Sequence, residues 1–106
     1  MVPIFTAAAV QTNVWPVYPS RSGEAVMENK EKNITRAIDL ILRLAEWNPA
    51  KIYVLPEFFM TGAGGVGRAE KDREKICVRF PGPEMERFGE AAKQANAYIA
   101  GMVWEV

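Results

Sequence analysis

The stretch KIYVLPE, residues 51–57, decides the predicted fold. A short run rich in β-branched and aromatic residues that stops at a proline is typical of a buried strand. Pro56 ends this strand and Glu57 follows directly, so the sequence places a carboxylate at the carboxyl end of a strand. In open α/β sheets ligands bind beyond this end of the strands, which makes Glu57 a candidate functional residue.

An amphipathic helix and another strand precede this segment. Apolar residues recur at helical spacing over residues 27–47, and Pro49 ends the helix because proline cannot continue its hydrogen bonds. Charged residues lie mostly elsewhere on the helical wheel: Lys30, Lys32, Arg36, Asp39, Arg43 and Glu46. Residues 14–23 are rich in Pro, Ser and Gly and predict a loop. The short apolar run 4–10 predicts a strand buried on both faces.

A second helix and a third strand are predicted after Glu57. Residues 58–67 predict a glycine-rich loop, and the charged residues 68–75 predict an exposed helical turn or a solvated loop. A helix is expected to start at Pro83 and to end at Asn96 in a left-handed conformation. Residues 98–104 then predict a strand, in which a glycine permits close packing.

The order of strand, helix, strand, helix and strand predicts an α/β fold with a parallel sheet and right-handed crossovers. Two crossovers of the same hand can leave both helices on one face of the sheet and the other face uncovered. A parallel sheet is stable when both faces are covered. We therefore expect the second face to pack against a second sheet, a partner or more chain.

The composition excludes several classes of function. Thirteen Lys and Arg balance thirteen Asp and Glu, so no nucleic-acid or membrane partner is predicted. No His and a single Cys are present, which excludes Ser-His-Asp catalysis, a Cys-His nucleophile pair, a Cys/His zinc site and an internal disulfide. We predict no metal or other cofactor. No stretch approaches the roughly 18 apolar residues of a membrane helix. Without a basic export signal, the cytoplasm is the expected location.

Glu57 has two interpretations from the residues alone. Beside Phe58 and Phe59, which are expected to lie near the substrate, it could be desolvated and act as a general base. The alternative is a surface or helix-capping carboxylate. Cys77 lies in KICVRF, which we predict to be extended and without the strained turn of a nucleophile, so packing is favoured over catalysis.

A glycine pattern follows Glu57 and offers a different function. Residues 62–67 read GAGGVG, which matches the GxGxxG pattern of dinucleotide-binding loops. That pattern should follow a strand directly, whereas six residues separate it from the second strand here. We predict a loop near Glu57, and a nucleotide-binding module is the less favoured alternative.

Three segments together resemble the nitrilase superfamily of carbon-nitrogen hydrolases: AAVQ at 8–11, Asn33-Ile34, and KIYVLPEFFMTG at 51–62. PGP at 81–83 and YIAG at 98–101 fit the same pattern. The similarity covers nearly the whole chain. It implies that residues 1–106 are a partial domain, the N-terminal half of an αββα sandwich.

The resemblance also implies a chemistry. Members of this superfamily cleave amide, nitrile or carbamoyl substrates with a Glu, a Lys and a Cys, and Glu57 matches the Glu that serves as general base. The lysine and the cysteine lie downstream of the position of Val106 in the family, so these residues alone are expected to be inactive. A homo-oligomer and a small amide or nitrile substrate are implied, without a cofactor. The competing hypothesis is a non-catalytic α/β module that packs against another sheet.

Overall fold

The fold is seen in a computed structural model that describes residues 3–17, 23–62 and 73–106. In these ranges the chain forms three strands and three helices: β1 Ala7–Ala9, α1 Gly23–Trp47, β2 Ile52–Val54, α2 Arg73–Ile76, α3 Pro83–Ala95 and β3 Tyr98–Ala100. The predicted order of strand, helix, strand, helix and strand is confirmed. The short α2 matches the helical turn that was one of the two alternatives for the charged segment, and it extends to Ile76. No helix in these ranges is long and apolar enough to cross a membrane.

The three strands form one parallel sheet in the order β1-β2-β3. Tyr53 at the centre of β2 pairs with Ala8 on one side and with Ile99 on the other. Because the strands are parallel, their carboxyl ends meet at the same edge. The end of β2, which leads to Glu57, therefore lies between the ends of β1 and β3.

The core fills one face of this sheet. Its main cluster combines buried residues from α1, β2 and α3, including Ile34, Ile41, Tyr53 and Phe88. Residues that alternate with Tyr53 point to the opposite face, where Val54 is 43% exposed and Tyr98 is 76% exposed. The expectation that the two crossover helices cover a single face is confirmed.

The prediction that the first strand is buried on both faces was wrong for the described residues. Ala7 and Ala9 are exposed, and only Ala8 between them is partly buried against the core. β1 lies at the edge of the sheet with one face uncovered, so Ala8 and Val10 lie against the core while Ile4 and Phe5 at the start of the run are exposed.

The boundaries of several elements differ from the predictions. α1 begins at Gly23 within the predicted loop, whereas its end at Trp47 agrees. Asn96 ends α3 in the predicted left-handed conformation, with φ 49° and ψ 49°. The predicted loop 58–67 and charged segment 68–75 lie only partly within the described residues.

The third strand is shorter than predicted, because the chain leaves the sheet at Gly101. β3 ends at Ala100, and the following segment pairs instead with Val78, whose N–H donates to the Trp104 carbonyl at 2.7 Å. A Cβ on Gly101 would lie 2.8 Å from Cε1 of Phe59. The glycine thus permits the close packing that the sequence predicts at this point.

Replacing Gly101 by alanine is expected to lower the free energy of unfolding by about 1–3 kcal/mol, because the added methyl group overlaps the Phe59 ring. The matched control is Gly89→Ala in α3, where a Cβ meets nothing within 4 Å. Alanine is the better helix former, so this control should raise stability by up to about 1 kcal/mol. Urea unfolding measures both, and equal effects of the two variants would contradict the packing at Gly101.

Candidate active site

Glu57 lies in the turn that follows β2, at the edge where the parallel strands end, and its side chain is exposed. The carbonyl of Phe58 closes this turn by accepting hydrogen bonds from the N–H groups of Thr61 at 3.2 Å and Gly62 at 2.8 Å. Phe58 itself has a φ of 53°. A non-glycine residue in this region costs about 1–3 kcal/mol, and such strain persists where the surrounding structure holds it in place.

The Phe58 ring stacks on Trp104, which follows β3. The ring centroids lie 4.9 Å apart and the planes differ by 8°. Both side chains keep part of their surface exposed, so the pair forms an aromatic surface. Phe58, one member of this pair, directly follows Glu57 in the chain. No local sequence pattern predicts the contact of Trp104 with Phe58, because it joins segments that are distant in the chain.

The side chain of Phe59 is buried, unlike the partly exposed side chain of Phe58. It is buried in the core and packs edge to face against Phe88, with centroids 5.4 Å apart. The expectation that the two phenylalanines desolvate Glu57 was therefore wrong. The left-handed backbone at Phe58 turns the chain, so one ring covers Trp104, the other enters the core, and the carboxylate stays exposed.

A family model described as Carbon-nitrogen hydrolase matches residues 6–106. The chain belongs to the carbon-nitrogen hydrolase family. The resemblance that the sequence shows to this group is confirmed, and the match spans β1, Glu57, α3 and β3. No curated protein and no solved structure matched the chain.

In this carbon-nitrogen hydrolase segment, Cys77 directly follows α2 in the chain and is buried. Its N–H donates to the Arg73 carbonyl at 2.9 Å. The extended conformation predicted for KICVRF was wrong at its start, because Lys75 and Ile76 belong to α2. A buried thiol offers a substrate poor access, so Cys77 lies outside the candidate site.

The segment also contains a buried cation that the sequence pattern did not predict. Lys30 was expected on the polar side of α1, yet it is only 3% exposed. Its ammonium group donates to the carbonyls of Lys75 at 3.0 Å and Cys77 at 3.1 Å and to the Glu84 carboxylate at 2.7 Å. Partial burial raises the pKa of Glu84. The hydrogen bond and charge of Lys30, together with other local contacts, lower the pKa by more than burial raises it, so the net shift is downward. Lys30 thereby connects α1 with α2 and α3.

The glycine pattern stays a prediction in this carbon-nitrogen hydrolase segment. Of residues 62–67, only Gly62 is within the described residues, and it adopts a φ of 78°. A Cβ there would lie 3.3 Å from the Cα of Pro16, so the loops after β1 and β2 approach closely.

Proposed function

We propose that Glu57 is the general base for hydrolysis of a carbon-nitrogen bond in a small amide, nitrile or carbamoyl substrate. The observation that carries the proposal is the exposed carboxylate at the sheet edge where parallel strands end, in a chain of the carbon-nitrogen hydrolase family. Ligands bind at this edge in α/β proteins. A carboxylate that is accessible there can exchange protons with a bound substrate or nucleophile.

For an amide substrate, the proposed reaction passes through an acyl-enzyme. Glu57 takes the proton of a cysteine thiol, and the thiolate attacks the carbonyl carbon while a lysine stabilises the oxyanion. The carbon-nitrogen bond breaks, and Glu57 returns the proton to the leaving nitrogen. Glu57 then deprotonates a water molecule that attacks the thioester carbon, the carbon-sulfur bond breaks to release the carboxylic acid, and Glu57 returns the proton to the cysteine sulfur. Because Cys77 is buried, the proposal assigns the nucleophile to a residue outside these 106. The resemblance to the superfamily implies the same for the lysine.

Phe58 is the phenylalanine that we propose to lie beside the substrate. Phe58 follows Glu57 directly in the chain, its ring is partly exposed, and it stacks on Trp104, which follows β3. Phe59 is buried in the core, so the proposal gives it no contact with the substrate.

The open face of the sheet supports a further part of the proposal. Exposed apolar side chains such as Val54 and Tyr98 lie where an αββα sandwich would place its second sheet, so we assign the chain to the N-terminal half of such a sandwich. The same face fits the alternative of a non-catalytic module that packs on another sheet. Catalysis distinguishes the two proposals.

The test uses the natural protein that contains this sequence and a panel of small amides, nitriles and carbamoyl compounds. We expect release of ammonia or amine from at least one class, together with a thioester adduct in the intact mass of the quenched enzyme. Folded protein that releases no ammonia or amine and forms no thioester adduct with any class of substrate would overturn the hydrolase proposal and favour the non-catalytic module.

A further inference from the structure

The side chain of Asn33 connects the loops that follow β1 and β2. Asn33 lies in α1 and is 1% exposed. Its Oδ1 accepts a hydrogen bond from the N–H of Trp15 at 2.8 Å, and its Nδ2 donates to the carbonyls of Trp15 at 2.7 Å and Met60 at 2.9 Å. Trp15 belongs to the loop after β1, and Met60 belongs to the turn that begins with Glu57.

These three bonds require a carboxamide. Both hydrogens of the amide nitrogen are directed at carbonyl oxygens, and the amide oxygen meets a backbone donor. An aspartate of the same shape would place an oxygen against the carbonyls of Trp15 and Met60 and leave them without a donor in a buried setting. A glutamine has the right groups but carries them one methylene further from the helix.

The turn that carries Glu57 is held at its far end by these contacts. Besides the Asn33 bond to Met60, the Thr61 carbonyl accepts a hydrogen bond from the N–H of Val17 at 3.0 Å. The Glu57 carboxylate is exposed, so packing around it does not hold it in place. Its position therefore depends on the backbone of the turn.

We propose that Asn33 is a positioning residue for Glu57, which it holds at the sheet edge by fixing the turn against the loop after β1. This inference rests on the proposed role of Glu57 as general base. A misplacement of about 1 Å in a reacting group can cost on the order of 100-fold in rate. Asn33 therefore affects the rate of the chemical step more than the binding of substrate.

The decisive variant is Asn33→Asp in the natural protein, with kcat expressed per active site from the acyl-enzyme burst. We expect kcat to fall at least about tenfold while KM stays within about twofold. Asn33→Gln, which keeps the donors and the acceptor, is expected to recover part of the loss. The matched control is Asn29→Asp, one turn earlier in α1, where a half-buried residue donates from its amide to the Pro16 carbonyl at 3.0 Å. This control should keep the wild-type kcat.

Amide hydrogen exchange tests the same link without catalysis. In Asn33→Asp the amides of Thr61 and Gly62 should exchange at least about tenfold faster, while the core amide of Tyr53 keeps its wild-type rate. If Asn33→Asp does not fold, Asn33→Ser serves for both measurements.

The outcomes separate the two proposals. Faster exchange with an unchanged kcat per active site would overturn the positioning role of Asn33, as would an equal loss of kcat in Asn29→Asp. Unchanged exchange would show that the turn does not depend on the amide, and would overturn the inference as well. Full activity of a Glu57→Gln variant would overturn the role of Glu57 itself, whatever the exchange rates show.

Discussion

Replacing Glu57 by glutamine is expected to lower kcat by about 10²- to 10⁴-fold in the natural protein, the range that a general base contributes. Glutamine has nearly the shape of glutamate but cannot accept a proton from a thiol or from water. The side chain is exposed in a turn that backbone hydrogen bonds close, so the variant should fold with a wild-type unfolding midpoint. The loss therefore reports chemistry and not stability.

The matched control for this variant is Glu46→Gln. Glu46 is an exposed carboxylate near the end of α1, in the segment that leads into the amino end of β2. Its neutralisation makes the same change in net charge and should leave kcat and KM unchanged. Release of ammonia or amine is measured for both variants, with the best substrate among the amides, nitriles and carbamoyl compounds tested. Wild-type turnover of Glu57→Gln would exclude Glu57 as the base, and an equal loss in Glu46→Gln would point to a general effect of charge.

Replacing Lys30 by methionine is expected to lower the free energy of unfolding by about 3 kcal/mol, because breaking a buried ion pair leaves its partner uncompensated. Methionine fills a similar volume but removes the donor to two backbone carbonyls and to the Glu84 carboxylate, which is itself only 18% exposed. The control is Lys32→Met on the same helix, where the ammonium is 48% exposed and pairs with the exposed Glu28 at 2.9 Å. Urea unfolding should show little change for this control.

The dependence of stability on pH gives a second readout of the same pair. Because the folded pKa of Glu84 is lowered from its ordinary value of 4.5, its contribution to stability is complete above that value and is lost as the pH falls through the folded pKa. In Lys30→Met, burial of Glu84 continues to raise its pKa and the lowering by Lys30 is gone. The difference in stability between wild type and Lys30→Met should therefore shrink as the pH falls from neutral to below 4.5. A difference that is constant over this range would show that the ion pair contributes nothing to stability.

Local physical chemistry makes much of this fold predictable from the sequence. Pro49 ends α1 and Pro56 follows β2, because proline cannot continue a helix or donate in a ladder. Asn96 ends α3 because asparagine tolerates the left-handed conformation. These rules act between neighbouring residues. They were sufficient to predict the order of the elements and the place of Glu57 after a strand. The parallel sheet with one covered face followed from that order together with the handedness of crossovers.

Contacts between distant segments decided the rest. The sequence does not distinguish Phe58 from Phe59, yet one stacks on Trp104 and the other enters the core. Polarity predicted an exposed Lys30, and only the approach of α2 and α3 supplies the acceptors that make its burial favourable. Asn33 likewise acquires its three bonds from two loops that meet only in the folded chain. Local backbone preferences and hydrophobic periodicity are enough to predict which elements form and where the carboxylate lies. The side chains that support this carboxylate are known only from the folded chain, because hydrogen-bond partners for buried groups exist only once distant segments have packed together.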